Sequence, residues 1–262
     1  MDQGKNKSHL FIGTSGFSYA DWVEVFYPRE LPKEKWLEHY SQHFNFCELN
    51  FSYYRMPVEP QMEKFLEYPL IYAVKGHKSL THDRLENDQA RNDFKRAAAV
   101  LQGGGQLGAV LLQFPFSFKY SPENRKYLLQ LLEFLTELPL VVEFRNPGWI
   151  RDSVFAELER GGWGVSMLDS PAVKGGMPKF QMVAGGRAYL RFHGRNSENW
   201  WTGDNISRFD YLYSEKELKT WLPRIKQMAE LAKTTYISFN NHARGQAVMN
   251  ARQLMNLVNL NI

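Results

Sequence analysis

Short apolar runs rich in β-branched and aromatic side chains recur along the whole chain. Eight can be read: LFIGT from Leu10, FCELN from Phe46, LIYAVKG from Leu70, LGAVLLQ from Leu107, LVVEFR from Leu140, GVSML from Gly164, AYLRFHG from Ala188 and TYISFN from Thr235. Their length and composition predict strands. Between most of them the apolar positions fall at helical spacing, over residues 33–44, 89–102, 121–138, 151–161, 214–233 and 247–260. Ser121-Pro122-Glu123 and Ser214-Glu215 carry start signals, an N-cap hydroxyl in both and a first-turn proline in the former. Strand and helix alternating from end to end predict parallel βα units, and eight of them in 262 residues match a single (β/α)8 TIM-barrel-like domain. An open doubly wound sheet is the alternative. Gly13-Thr14-Ser15-Gly16 lacks the GxGxxG spacing that such a sheet uses for dinucleotides.

Two connections break the rhythm. Residues 170–187 hold Pro171, Pro178 and two Gly-Gly pairs, so a loop or small hairpin is expected after the sixth strand instead of a helix. Residues 194–213, after the seventh, are polar and aromatic without a period, which predicts a long functional loop. No repeat or linker divides the chain. Residues 1–262 therefore read as one domain, with 1–9 expected to be a flexible N-terminal segment.

Alternate residues of a strand point to opposite sides, and the outer face of a barrel packs on helices and must be apolar. That rule sends Val142 and Phe144 outward and Glu143 and Arg145 inward; Leu190 and Phe192 oppose Tyr189, Arg191 and His193. It also turns Glu48, Asn50, Lys75, Gln113, Ser238 and Asn240 inward, with Asp169 at the end of the sixth run. Nearly all of these lie in the second half of their strands, at the end where barrel enzymes keep their active sites. Glu48, Glu143 and Asp169 balance Lys75, Arg145 and Arg191, so one reading is a closed network of ion pairs, since unpaired buried charge costs several kcal/mol. The other reading is a site. Its cations suit phosphate or carboxylate, the arginines bidentately.

Asp169 and His193, from adjacent strands, are the expected acid–base pair, and Glu143 joins the catalytic set with Arg145 as its orienting partner. Tyr19, Tyr53, Tyr54, Trp149, Trp200 and Trp201 fall on loops that should meet the mouth, where rings could stack a sugar or a base. His242 reads as a rim or turn residue. His39 and His43 are four apart on a helix but have no third ligand nearby, so a half-buried face is expected.

Composition changes the picture little. The chain is 44% hydrophobic and 23% charged, with a net charge of +4, which admits an anionic partner without requiring nucleic acid. A single cysteine, Cys47, excludes a disulfide framework and multi-cysteine metal sites, and it reads as a buried thiol. No run is long enough to span a bilayer and the start lacks the apolar core of a signal peptide, so no membrane partner and a cytoplasmic location are expected. No cofactor is expected; a divalent metal on the carboxylates and His193 is the lesser alternative.

The segments GTSGFSYADW, WLEHYSQHFNFCELNFSYYRMP, YAVKGHKSLTH, LLQFPFSF, VEFRNPGW, YLRFHGR and YISFNNHARGQAVMNA together resemble the domain of unknown function 72 family, also called YecE-like. The resemblance runs from about Ile12 to Ala251 and implies a TIM-barrel-like fold with no assigned activity. Phe17 stands where that pattern commonly has Trp. Most of the residues it carries over were already selected by alternation; it adds Ser15, Arg55, His82 and Asn250 and supports Tyr19, Tyr53 and Trp149. Sugar isomerases and apurinic endonucleases have similar barrels, but their metal sites need more inward histidines and carboxylates than this chain offers.

The leading expectation is a hydrolase-like enzyme for an anionic small molecule, held by Lys75, Arg145 and Arg191 with Tyr19, Glu48, Asn50, Tyr53, His82, Gln113, Trp149 and Asn240 around it. A non-catalytic nucleotide or nucleic-acid module and a glycoside hydrolase are the alternatives, the last needing two carboxylates about 5–9.5 Å apart.

Overall fold

The computed structural model describes residues 9–84, 87–204 and 206–261. Eight strands follow in order: β1 (His9–Ser15), β2 (Phe46–Leu49), β3 (Ile71–Lys75), β4 (Leu107–Gln113), β5 (Leu140–Glu143), β6 (Gly164–Asp169), β7 (Arg187–Phe192) and β8 (Thr234–Phe239). Each pairs in parallel with the next, and β8 returns to β1 to close a barrel. All eight predicted runs are strands. Of the expected flexible segment, residues 1–8 lie outside the described residues, and His9 already belongs to β1.

The connecting helices are α1 (Trp36–Ser41), α2 (Phe51–Tyr54), α3 (Glu59–Glu63), α4 (Lys78–Thr81), α5 (Asp88–Gly103), α6 (Pro122–Phe134), α7 (Asp152–Arg160), α8 (Glu215–Lys219), α9 (Leu222–Leu231) and α10 (Gln246–Asn261). The start signals act as expected. The Ser121 hydroxyl accepts from the Asn124 N–H, and Ser214 with Glu217 forms a reciprocal capping box on α8. The segment 214–233 is two helices rather than one, because Pro223 can occupy only a first turn and α9 restarts there. The short α2, α3 and α4 were not legible, being too brief to show a period. Residues 170–186 contain no helix, only an isolated antiparallel bridge from Ala184 to Arg187, and among its described residues the long connection 194–213 holds a single 3-10 turn at Ser207–Phe209.

Strand alternation builds two cores. Outward residues such as Val74, Leu112, Val142, Leu190 and Ile237 join the helices in the main core. Inward, Phe46, Ala73, Leu111, Val141, Tyr189 and Tyr236 form a separate apolar plug. That plug fills the N-terminal part of the barrel and leaves inward positions nearer the C-terminal ends for polar groups. Gly13 lies where β1 and β2 approach closely; a Cβ there would fall 1.9 Å from the Phe46 carbonyl oxygen.

Candidate functional site

Directly above the plug lies a buried ionic layer. Arg191 donates from Nη1 to both oxygens of Glu143 at 3.1 and 2.9 Å, and from Nη2 to Glu48 at 2.6 Å. Arg145 donates from Nε to Glu143 at 2.6 Å, and the Tyr189 hydroxyl donates to the second Glu48 oxygen at 2.9 Å. Burial by itself would raise the Glu143 carboxyl, but Arg145 and Arg191 hold it well below the usual carboxylate range. Burial likewise opposes the charge on Arg191, and Glu143 with Glu48 more than offsets it.

His193 is enclosed in the same layer. Arg145 donates from Nη2 toward His193 Nε2 at 3.0 Å, and Asn240 Nδ2 lies 3.0 Å from Nδ1. A guanidinium can only donate, so Nε2 is an acceptor, the ring proton sits on Nδ1, and the Asn240 amide must turn its oxygen to meet it. Burial, then Arg145 and Arg191, push the imidazole well below its ordinary value, and it stays neutral.

Over this layer opens a cavity of about 620 Å³, within the usual range for small-molecule sites. Lys75, Arg145 and Arg191 line it from the strand ends, and Arg208 from the loop after β7, whereas Glu48 and Glu143 do not reach it. Tyr19, Asn50, Tyr53, His82, Gln113 and Asn240 also line it. The Lys75 ammonium sits 4.6 Å from the Tyr53 ring centroid, and the His82 ring packs edge-on against the same ring. Burial, and then the charge on Lys75, take His82 down to about 4. Tyr19 stacks on His242, 4.6 Å between centroids. At the rim, Tyr54, Phe116 and Trp201 are 63%, 41% and 48% exposed.

A profile of the family described as "Protein of unknown function DUF72" matches residues 11–262. The chain belongs to the DUF72 family. It is 28% identical to the UPF0759 protein YunF of Bacillus subtilis, over 96% of this chain and 95% of that one. A solved DUF72 structure from Thermotoga maritima superposes with a TM-score of 0.88 at 35% identity, covering 96% of this chain and 99% of the other. One from Enterococcus faecalis gives 0.84 at 22% identity, covering 97% and 96%.

This DUF72 barrel corrects several expectations: Glu48 and Glu143 lie beneath the cavity and His193 is enclosed, so none of the three meets a ligand there, and Asp169 and Trp149 lie elsewhere. Asp169 belongs with Val165 and Met167 on the outward face of β6, while Leu168 faces the cavity. Its carboxylate accepts two bonds from Arg195 at 2.7 and 2.6 Å, one from Trp221 Nε1 at 2.7 Å and one from the Tyr213 hydroxyl at 3.0 Å. It is a strut between barrel and helices. Asp169 and His193 meet through the backbone, His193 N–H to Asp169 carbonyl, so they form no acid–base pair. Trp149 packs on Phe118 and Phe144 outside the barrel and donates Nε1 to the Phe118 carbonyl, away from the cavity.

Arg208, Phe116 and Met177 line the cavity without any signal in the sequence, because they come from loops without a period. Asn250 binds the Tyr213 backbone on both sides, which fixes the end of the long loop. His39 and His43 pack edge-on against Phe26, and Cys47 is buried with its thiol pushed up by burial. Among the described residues no group of three or more His, Cys, Asp or Glu is placed to hold a metal, and no helix is long and apolar enough to cross a membrane.

Proposed function

We propose that the barrel mouth binds an anionic small molecule bearing phosphate or carboxylate and that the protein is an enzyme acting on it. One observation carries this reading: the cations face the cavity while the carboxylates that balance them lie behind, in the layer beneath. A ligand therefore meets positive charge. Arg145 spends Nε and Nη2 on Glu143 and His193, and its Nη1 has no partner among the described residues. Arg208 Nε is buried without an acceptor. Such donors, held by a rigid network and short of acceptors, suit an oxyanion.

Lys75, His82 and His242 are the lysine and histidines that line the cavity and could carry proton transfer there, since Asp169 faces outward and His193 is enclosed. The hydrolytic pairing expected from the sequence loses its partners. Glycoside hydrolysis loses support as well, because Glu48, Glu143 and Asp169 are each bound to an arginine. The exposed rings of Tyr54, Phe116 and Trp201 favour a second reading, a nucleotide whose base stacks on the rim. Calorimetry with inorganic phosphate tests the first. Binding that weakens at least about tenfold in Arg145→Met supports it; no binding by the parent protein overturns it. Tighter binding of a nucleoside monophosphate than of phosphate would favour the second.

A further inference from the structure

Arg145 and Arg191, at the strand ends, are paired with the carboxylates beneath them, but Lys75 is not. It is the lysine that lines the cavity among the described residues, and no carboxylate lies within ion-pair distance of its ammonium. Its side chain stands on the last residue of β3, so the backbone fixes it, and the Tyr53 ring covers one side. Arg145 and Arg191 line the same space and already supply charge for an anion. A third guanidinium would have served for charge alone. What a lysine in this position adds is an amine.

We propose that Lys75 is a covalent nucleophile that condenses with the aldehyde or ketone carbonyl of an anionic substrate to form an imine, the arginines holding the anionic end. This rests on the anion-binding reading and names its substrate class, a phosphorylated or carboxylated carbonyl compound. In the step, the unprotonated Nζ attacks the carbonyl carbon, a C–N bond forms and the C=O π pair goes to oxygen. One nitrogen proton passes to that oxygen to give the carbinolamine, whose hydroxyl takes up a second proton and leaves as water, and the iminium that results gives up the remaining nitrogen proton. Amine plus carbonyl thus becomes imine plus water, with no oxidant or reductant. His82, lining the cavity against the same Tyr53 ring, is the group placed to pass these protons.

The amine is available. Burial, then Arg191, pull Lys75 down to about 8 against the partial support of Glu48 and Glu143, with Arg145 acting in the same direction as Arg191. At pH 7 about one molecule in ten then carries the free amine, against about one in several thousand for an ordinary lysine. Desolvation and neighbouring cations are the recognised ways of activating a lysine nucleophile.

The test is reductive trapping of the full-length protein with dihydroxyacetone phosphate or pyruvate and sodium borohydride, read by intact mass and peptide mapping. The expected result is one adduct, on Lys75, forming faster as pH rises through about 8, suppressed by inorganic phosphate and at least about tenfold slower with uncharged dihydroxyacetone. Lys75→Arg, which keeps the charge, should abolish the adduct while its far-UV circular dichroism matches that of the parent. If the parent protein binds phosphate yet yields no adduct on Lys75 with either probe, the imine proposal is overturned and the anion reading stands. If Lys75 is trapped equally well by the uncharged ketone and phosphate does not compete, the anion reading falls and the nucleophile stands. Absence of both binding and adduct overturns both.

Discussion

Arg191 Nη2 lies 2.6 Å from Glu48 Oε1 with both side chains withdrawn from solvent, and this pair anchors the layer that separates the apolar plug from the open cavity. Tyr189 holds the second oxygen of Glu48, and Glu143 takes the other end of the guanidinium. The layer works as a platform. It fixes Arg191 and Arg145 in the cavity wall, so that holding a ligand costs little further side-chain entropy.

Glu143 serves two arginines, so Glu143→Gln should destabilise the protein by about 3–5 kcal/mol, measured by urea unfolding. Its folded carboxyl lies below the unfolded value, so the stability it contributes is complete above about 4.5 and is lost as pH falls further. The variant should therefore show a shallower acid limb than the parent. An unchanged limb would contradict the buried pairing.

His193 produces a second window. Its folded value is well below 6.5, so below that pH the unfolded chain binds a proton that the folded chain refuses, and stability falls as pH drops. His193→Gln, whose amide oxygen can still accept from Arg145, should reduce this slope by up to about 1.4 kcal/mol per pH unit between pH 6 and 5. Unfolding series at several pH values would measure it. Equal slopes in parent and variant would mean that His193 titrates freely.

Asp169 separates structure from binding. Asp169→Asn weakens a buried carboxylate that four donors share, and it should cost about 2–4 kcal/mol in stability. Phosphate affinity, measured by calorimetry on the folded fraction, should stay within about twofold of the parent, because the side chain lies behind β6. A large loss of affinity with normal stability would return Asp169 to the site.

The loop after β7 carries Arg208 and Trp201 to the mouth, and Arg244 pairs with Asp210 at its base while Gln246 donates to the same carboxylate. The arginine is largely exposed, so Arg244→Ala should change stability by less than about 1 kcal/mol. A ligand that contacts the loop should shift Trp201 emission on titration, and more weakly in this variant if the latch positions the loop. Identical signals would leave the pair without a role at the site.

Strand alternation was enough to place Glu48, Lys75, Gln113, Glu143, Arg145 and Arg191 inside the barrel, because the outer face of each strand must be apolar to pack on helices, and a period of two allows a single assignment. Asp169 obeys the same rule, since counting from Val165 and Met167 sends it outward. Trp149 had no period to read, and its ring went to the outer core, where it buries its area and satisfies its N–H. So the sequence determined the eight strands, their order and which face of most carries charge, since these follow from local spacing and burial. Only the closed barrel decided which carboxylate meets which arginine, which loop residues reach the mouth, and that Lys75 alone among the inward strand-end cations has no carboxylate within ion-pair distance among the described residues. Those outcomes depend on distances between strands far apart in the chain, which no local pattern encodes.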